Sequence, residues 1–148
     1  MTTPTYETDF YRWTQTQAEA LRQKDVAALD LEHLAEEIEE LGSNHRYAIE
    51  SQLERLLTHL LKWRYDPAQD PRRLWRQTIR HARREIAKRT GDSPSLRDHP
   101  AGYLATAYRH AREDAGDETG LPLATFPEAC LWTVAQVLDA DFWPESTP

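Results

Sequence analysis

The sequence predicts an all-α fold, a single helical bundle built on one long helix, two or three further main helices and a short C-terminal one. Three observations carry this. Apolar residues recur at helical spacing through most of the 148-residue chain. No stretch alternates apolar and polar residues, and no Asn-Gly or Asp-Gly hairpin turn occurs. Ile, Leu, Val and Phe supply only 27 residues, but five Trp, six Tyr and eighteen Ala give a core material that a disordered chain lacks. The length suits one domain over 1–148, ordered from about 5 to 145.

The first helix, about 8 to 23, sets Phe10, Trp13, Gln17 and Leu21 on one face and runs out at Arg22-Gln23-Lys24-Asp25. The next apolar series is Leu31, Leu34, Ile38, Leu41, Ile49, Leu53, Leu56, Leu60 and Trp63. At about 100° per residue these nine share an arc of roughly 120°. The phase survives Gly42-Ser43-Asn44, where a break would normally reset it, so one helix from about 30 to 65 is expected, with a kink allowed at Gly42. Two helices parted at Gly42 are the alternative. Asp66-Pro67 and Asp70-Pro71 form the connector that follows, since the residue before proline avoids helix.

A third helix, about 71 to 89, aligns Trp75, Ile79, Ala82 and Ile86 and is expected to stop at Lys88-Arg89 and Gly91. Ser93-Pro94 reads as an N-cap opening a short turn. The fourth helix, about 101 to 118, carries Leu104, Ala107, Tyr108, Ala111 and Ala115 on a narrow face and ends near Gly120. Thr133 and Gln136 form a capping box before Val134, Val137 and Leu138.

Several ordered strings resemble one known family. They are Tyr6-Glu7-Thr8-Asp9-Phe10-Tyr11-Arg12-Trp13, the run Asp30 to Gly42, His59-Leu60-Leu61-Lys62-Trp63, Trp75-Arg76-Gln77-Thr78-Ile79, Ser93-Pro94-Ser95-Leu96, Glu118-Thr119-Gly120-Leu121-Pro122 and Asp141-Phe142-Trp143-Pro144. In this order they resemble the bacterial family of domain of unknown function number 29, over about residues 5 to 145. Leu131-Trp132 departs from the small or proline residue followed by an aromatic that the family pattern leads one to expect. The resemblance implies an all-helical, stand-alone bacterial domain and transfers no catalytic residue.

Composition bounds the function. The longest mostly apolar uncharged stretch, Ala129 to Leu138, is too short to span a bilayer, so no membrane role is expected. The start shows no secretory pattern, and the single Cys130 can form neither an internal disulfide nor a thiolate zinc site, which together suggest a cytoplasmic protein. Cys130 reads as a packed thiol, and no nucleophile elbow, phosphate-binding glycine loop or cofactor fingerprint is present. No catalytic residue and no cofactor are therefore assigned.

Three constellations remain. Six carboxylates lie between Asp30 and Glu40, with Glu32, His33 and Glu36 as weak metal candidates on what should be a solvated face. His45, Gln52 and His59, spaced seven and seven, fall inside the long helix's apolar arc. They either find buried partners, for which Tyr6, Tyr11, Tyr108 and Asp114 are candidates, or line a polar pocket in which His59 acts as base, sensor or ligand. The third helix holds Arg72, Arg73, Arg76, Arg80, Arg83, Arg84, Lys88 and Arg89, which could grip a polyanion or dock on the acidic run. The net charge of −7 and the absence of a nucleic-acid-binding fingerprint weigh against nucleic acid. The reading is a non-catalytic binding module, with a protein partner or self-association expected. A nucleic-acid-associated or nuclease-like, metal-dependent enzyme using helix 71–89 is the alternative.

Overall fold

The computed structural model describes residues 5–145. Its elements in order are α1 (Phe10–Arg22), α2 (Leu31–Tyr65), α3 (Arg72–Asp92), α4 (His99–Thr119) and α5 (Val134–Leu138), with 3₁₀ turns at Val26–Ala28, Pro94–Leu96 and Leu123–Thr125. No strand occurs among the described residues, so the fold is all-α. The chain divides into two units, Met1–Asn44 and His45–Pro148, and the boundary falls within α2.

In the first unit, Asp9 caps α1 by accepting from the Arg12 N–H at 3.0 Å. After α1 the chain turns through Lys24, at φ 58°. Gln17, nearly fully buried, clamps that turn: its amide nitrogen donates to the Ala28 carbonyl at 3.3 Å and its oxygen accepts from the Asp30 N–H at 2.7 Å. Asp30 in turn accepts from the Trp13 indole at 3.1 Å and from His33 Nδ1 at 2.7 Å. The Tyr6 ring stacks on His33 at 4.1 Å and its hydroxyl donates to Glu37. A unit this small buries little apolar surface, and these polar and aromatic contacts supplement what its core lacks.

The Asp30–His33 pair gives the unit a pH signature. The hydrogen bond to Asp30 holds the His33 imidazole above its ordinary 6.5, and the same bond holds Asp30 below its ordinary 3.8. The raised group stabilises the fold below pH 6.5 and loses that effect as pH rises through its folded value. The lowered group stabilises it above 3.8 and loses that effect as pH falls through its own. The pair's contribution is therefore fullest between pH 3.8 and 6.5. An NMR titration of His33 should show this elevated midpoint in the wild type and a return toward 6.5 in Asp30→Asn; an unchanged midpoint would refute the assignment.

In the second unit, the C-terminal half of α2 supplies the largest share of the core. Ile49, Leu53, Leu56, Leu57, Leu60 and Leu61 are inaccessible or nearly so, and they pack with Ile79, Ala82 and Ile86 of α3, with Ala107, Tyr108, Ala111 and Ala115 of α4, and with Phe126 and Val137. The alanine face of α4 matches the sequence expectation. So does its end: Gly120 takes the left-handed conformation, φ 74°, that a Cβ would strain.

Three expectations need correction. The long helix is continuous through Gly42, so the two-helix alternative does not hold, but its apolar arc is not one buried stripe: Leu31, Ile38 and Leu41 are 62–70% exposed. The third helix does not stop at Gly91 but runs to Asp92, because Gly91 keeps a negative φ and nothing there forces a turn. The short turn expected at Ser93-Pro94 is present as a 3₁₀ turn over Pro94–Leu96 with Ser93 at its N-cap position, but the Ser93 side chain makes no capping bond. The expected capping box on α5 is present, with Thr133 Oγ1 accepting from the Gln136 N–H at 3.1 Å and Gln136 Oε1 accepting from the Thr133 N–H at 2.9 Å.

Candidate binding cleft on the arginine helix

The apolar stripe of α3 faces the core, and Arg72, Arg76, Arg80 and Arg83 lie along one side of that stripe. One of them is drawn inward. Arg83, 95% buried by its 5% exposure, donates from Nε to the Val137 carbonyl at 2.9 Å and from Nη2 to the Phe142 carbonyl at 2.8 Å. It also lies 5.4 Å from the Trp143 ring centre. These bonds hold the C-terminal segment against α3, and the capping box positions the Val137 carbonyl by fixing α5. The third guanidinium nitrogen, Nη1, is buried and has no hydrogen-bond partner among the described residues.

Arg83 lines a cleft of about 470 Å³ together with Arg80, Arg84 and Ala87 of α3 and with Leu138, Ala140 and Asp141. Arg80 and Arg84 are exposed. Burial lowers the Arg83 pKa, opposed by Asp139, but a guanidinium starts so high that it stays charged. The cleft thus presents three cations and one carboxylate. Chemically this suits an anion with planar or tetrahedral oxygens.

One turn and more toward the N-terminus of α3, Arg72, Arg73 and Arg76 join Trp63 and Gln69 around a second cleft of about 520 Å³. Arg72 and Arg76 stack on the Trp63 ring at 4.9 and 5.6 Å. The other cations predicted from sequence do not join either cleft. Lys88 is exposed outside both, and Arg89 is paired with Glu85 at 3.9 Å and with His45.

The His45, Gln52 and His59 seam does not form one pocket. Arg89 Nη1 donates to His45 Nδ1 at 3.1 Å, which makes Nε2 the protonated nitrogen, donating to the Arg89 carbonyl at 3.1 Å. Gln52 Oε1 is buried without a partner. His59 alone lines a cleft, of about 460 Å³, where Glu54, Thr58, Asp114 and Glu118 also stand. Its Nδ1 donates to the Arg55 carbonyl at 2.9 Å, and burial pushes its pKa down. The histidines thus bond to backbone carbonyls and to Arg89 in place of the tyrosines and Asp114 proposed from sequence.

Sequence reasoning missed the centre of that polar region. Glu54 Oε1 accepts from both the Tyr103 hydroxyl and His110 Nδ1 at 2.7 Å, and burial pushes Asp114 up. Glu50 receives His99 at 3.0 Å in the same manner. The available signal was the i,i+4 spacing of Glu50 and Glu54 on α2 opposite His110 and Asp114 on α4.

The weak metal candidates separate. His33 is committed to Asp30 and covered by Tyr6, whereas Glu32 and Glu36 are exposed. Among the described residues no group of three or more His, Cys, Asp or Glu side chains is placed to hold a metal ion. Cys130 is half-buried, bonds to the Trp132 carbonyl at 3.4 Å and has its thiol pKa pushed up by burial, which fits a packed thiol. No helix among the described residues is long and apolar enough to cross a membrane.

A family model described as Domain of unknown function DUF29 matches residues 5–143. The chain belongs to this family. The DUF29 match takes in all five helices and reaches Trp143, so both the arginine helix and the segment that Arg83 holds lie within the family region. No curated protein and no solved structure matches the chain.

Proposed function

We propose that this DUF29 protein is a non-catalytic, cytoplasmic binding module that takes an acidic segment of a partner protein into the cleft of Arg80, Arg83 and Arg84. The observation that carries this reading is the cleft that Arg83 lines together with two exposed arginines, with Arg83 keeping a buried Nη1 unpartnered among the described residues. A buried donor without an acceptor costs roughly 1–3 kcal/mol, and a partner carboxylate held by Arg80 and Arg84 would supply an acceptor once the Arg83 side chain shifts toward it. The cleft's modest excess of positive charge suits a carboxylate-bearing peptide. The test is fluorescence anisotropy with a labelled oligo-glutamate peptide at low salt. Binding should weaken with salt and fall about tenfold in Arg80→Ala plus Arg84→Ala, which removes two charged contacts from exposed positions. Absence of binding by the wild type would refute the reading.

A second reading, nucleic-acid binding, is favoured by one observation: Arg72 and Arg76 over Trp63 continue the row of cations along α3, which suits a run of phosphates. A labelled single-stranded oligonucleotide in the same assay separates the two. Under the leading reading the peptide binds more tightly than the oligonucleotide at equal salt. The reverse order would support the second reading and displace the first.

A further inference from the structure

The first unit carries a feature that the arginine cleft does not use. Between α1 and the N-terminal half of α2 runs an apolar groove of about 410 Å³, lined chiefly by Phe10, Trp13, Leu21, Leu34, Ile38 and Leu41. Phe10 and Leu21 are about half exposed, and Ile38 and Leu41 are 66% and 70% exposed. On α2, Leu31, Leu34, Ile38 and Leu41 follow the three-and-four spacing of a packed helix face, over about 15 Å at 1.5 Å per residue. Soluble chains rarely leave such a stripe to water without a use for it.

The charge around the groove selects its occupant. Residues 5–44 hold ten carboxylates against Arg12, Arg22 and Lys24, whereas residues 45–148 hold fifteen of each sign. The entire net charge of −7 therefore belongs to this unit. Glu32, Glu36, Glu39 and Glu40 are exposed on the side of α2 away from the stripe, and Glu37 lines the groove itself. A second copy seated here would set two units of −7 against each other, and like charges at close range oppose that assembly. A helix with an apolar face flanked by lysine or arginine meets both demands.

We infer that the groove between α1 and the N-terminal half of α2 docks a basic amphipathic helix of a partner protein. Its apolar anchors, spaced i, i+3 or i+4, and i+7, lie on Phe10, Trp13, Leu34, Ile38 and Leu41. Its cations meet Glu37 at the groove and the negative field of a unit that carries −7, which speeds encounter.

The test titrates the full-length protein into a fluorescein-labelled amphipathic leucine–lysine helix of about five turns, with a leucine–glutamate peptide of the same pattern as control. The lysine peptide should bind, more weakly as salt rises, and the glutamate peptide should not. Ile38→Glu plus Leu41→Glu should lower affinity at least tenfold while leaving the far-ultraviolet circular dichroism unchanged, since both side chains are exposed. That variant adds negative charge, so attraction by charge alone would strengthen binding and would overturn the proposal. So would equal binding of both peptides, binding of neither, or a wild-type dimer in light scattering that the double variant dissolves. The last outcome would assign the groove to a second copy.

Discussion

Leu57→Ala lowers the stability of the His45–Pro148 unit by about 3 kcal/mol, and Leu41→Ala on the same helix changes stability by less than about 0.5 kcal/mol. Leu57 is fully buried in the half of α2 that supplies the largest share of the core, so its truncation loses transfer free energy and leaves a cavity. The neighbouring side chains Leu56, Leu60 and Leu61 are equally buried, which limits how far the site can relax. Leu41 is 70% exposed, and little surface is lost when it is shortened. Urea unfolding of the full chain, followed by the fluorescence of Trp63, Trp75, Trp132 and Trp143, measures the first change. A Leu57→Ala loss below about 1 kcal/mol would contradict the packing described here.

Arg83→Met should cost about 2–4 kcal/mol and also remove anion binding. The substitution keeps a long apolar stem beside Trp143 but leaves the Val137 and Phe142 carbonyls without their donor. Hydrogen bonds to charged groups contribute roughly 1.5–3 kcal/mol each, and the smaller figure for the pair allows for water reaching the freed carbonyls. Arg83→Lys retains the charge but lacks the fork that reaches two carbonyls at once, so it should recover only part of the loss. Hydrogen exchange localises the effect: amides of 134–143 should lose protection before those of Leu53 to Leu61. Uniform loss of protection, or an Arg83→Met protein as stable as wild type, would contradict a strap held by this side chain.

The helices were legible because each is marked locally. Periodicity sets their faces, Thr133 and Gln136 open α5, and Gly120 closes α4. Continuity of phase correctly overrode Gly42, whose flexibility costs a helix about 1 kcal/mol but does not break it. Burial was less legible. Periodicity says that Leu31, Ile38, Leu53 and Leu60 share a face, yet whether a residue on that face is covered depends on what packs there: Leu53 and Leu60 lie in the core with α3 and α4, whereas Leu31 and Ile38 are exposed. The arginines show the same limit. Arg80, Arg83 and Arg84 look alike in sequence, but Arg83 is buried by carbonyls 54 and 59 residues away. The histidine seam was read as a unit because spacing by seven aligns residues along a helix. His45 and His59 are two full heptads apart, far enough to meet different neighbours.

The central claim, that the cleft of Arg80, Arg83 and Arg84 takes an incoming anion, is tested most directly by following arginine side-chain NMR signals as an oligo-glutamate peptide is added. The account predicts that the Arg83 guanidinium and the amides of Val137 to Trp143 shift together and saturably, and that Arg80→Ala plus Arg84→Ala weakens this response about tenfold. Signals that stay fixed at Arg83 while other arginines move, or a response that the double variant leaves intact, would contradict it.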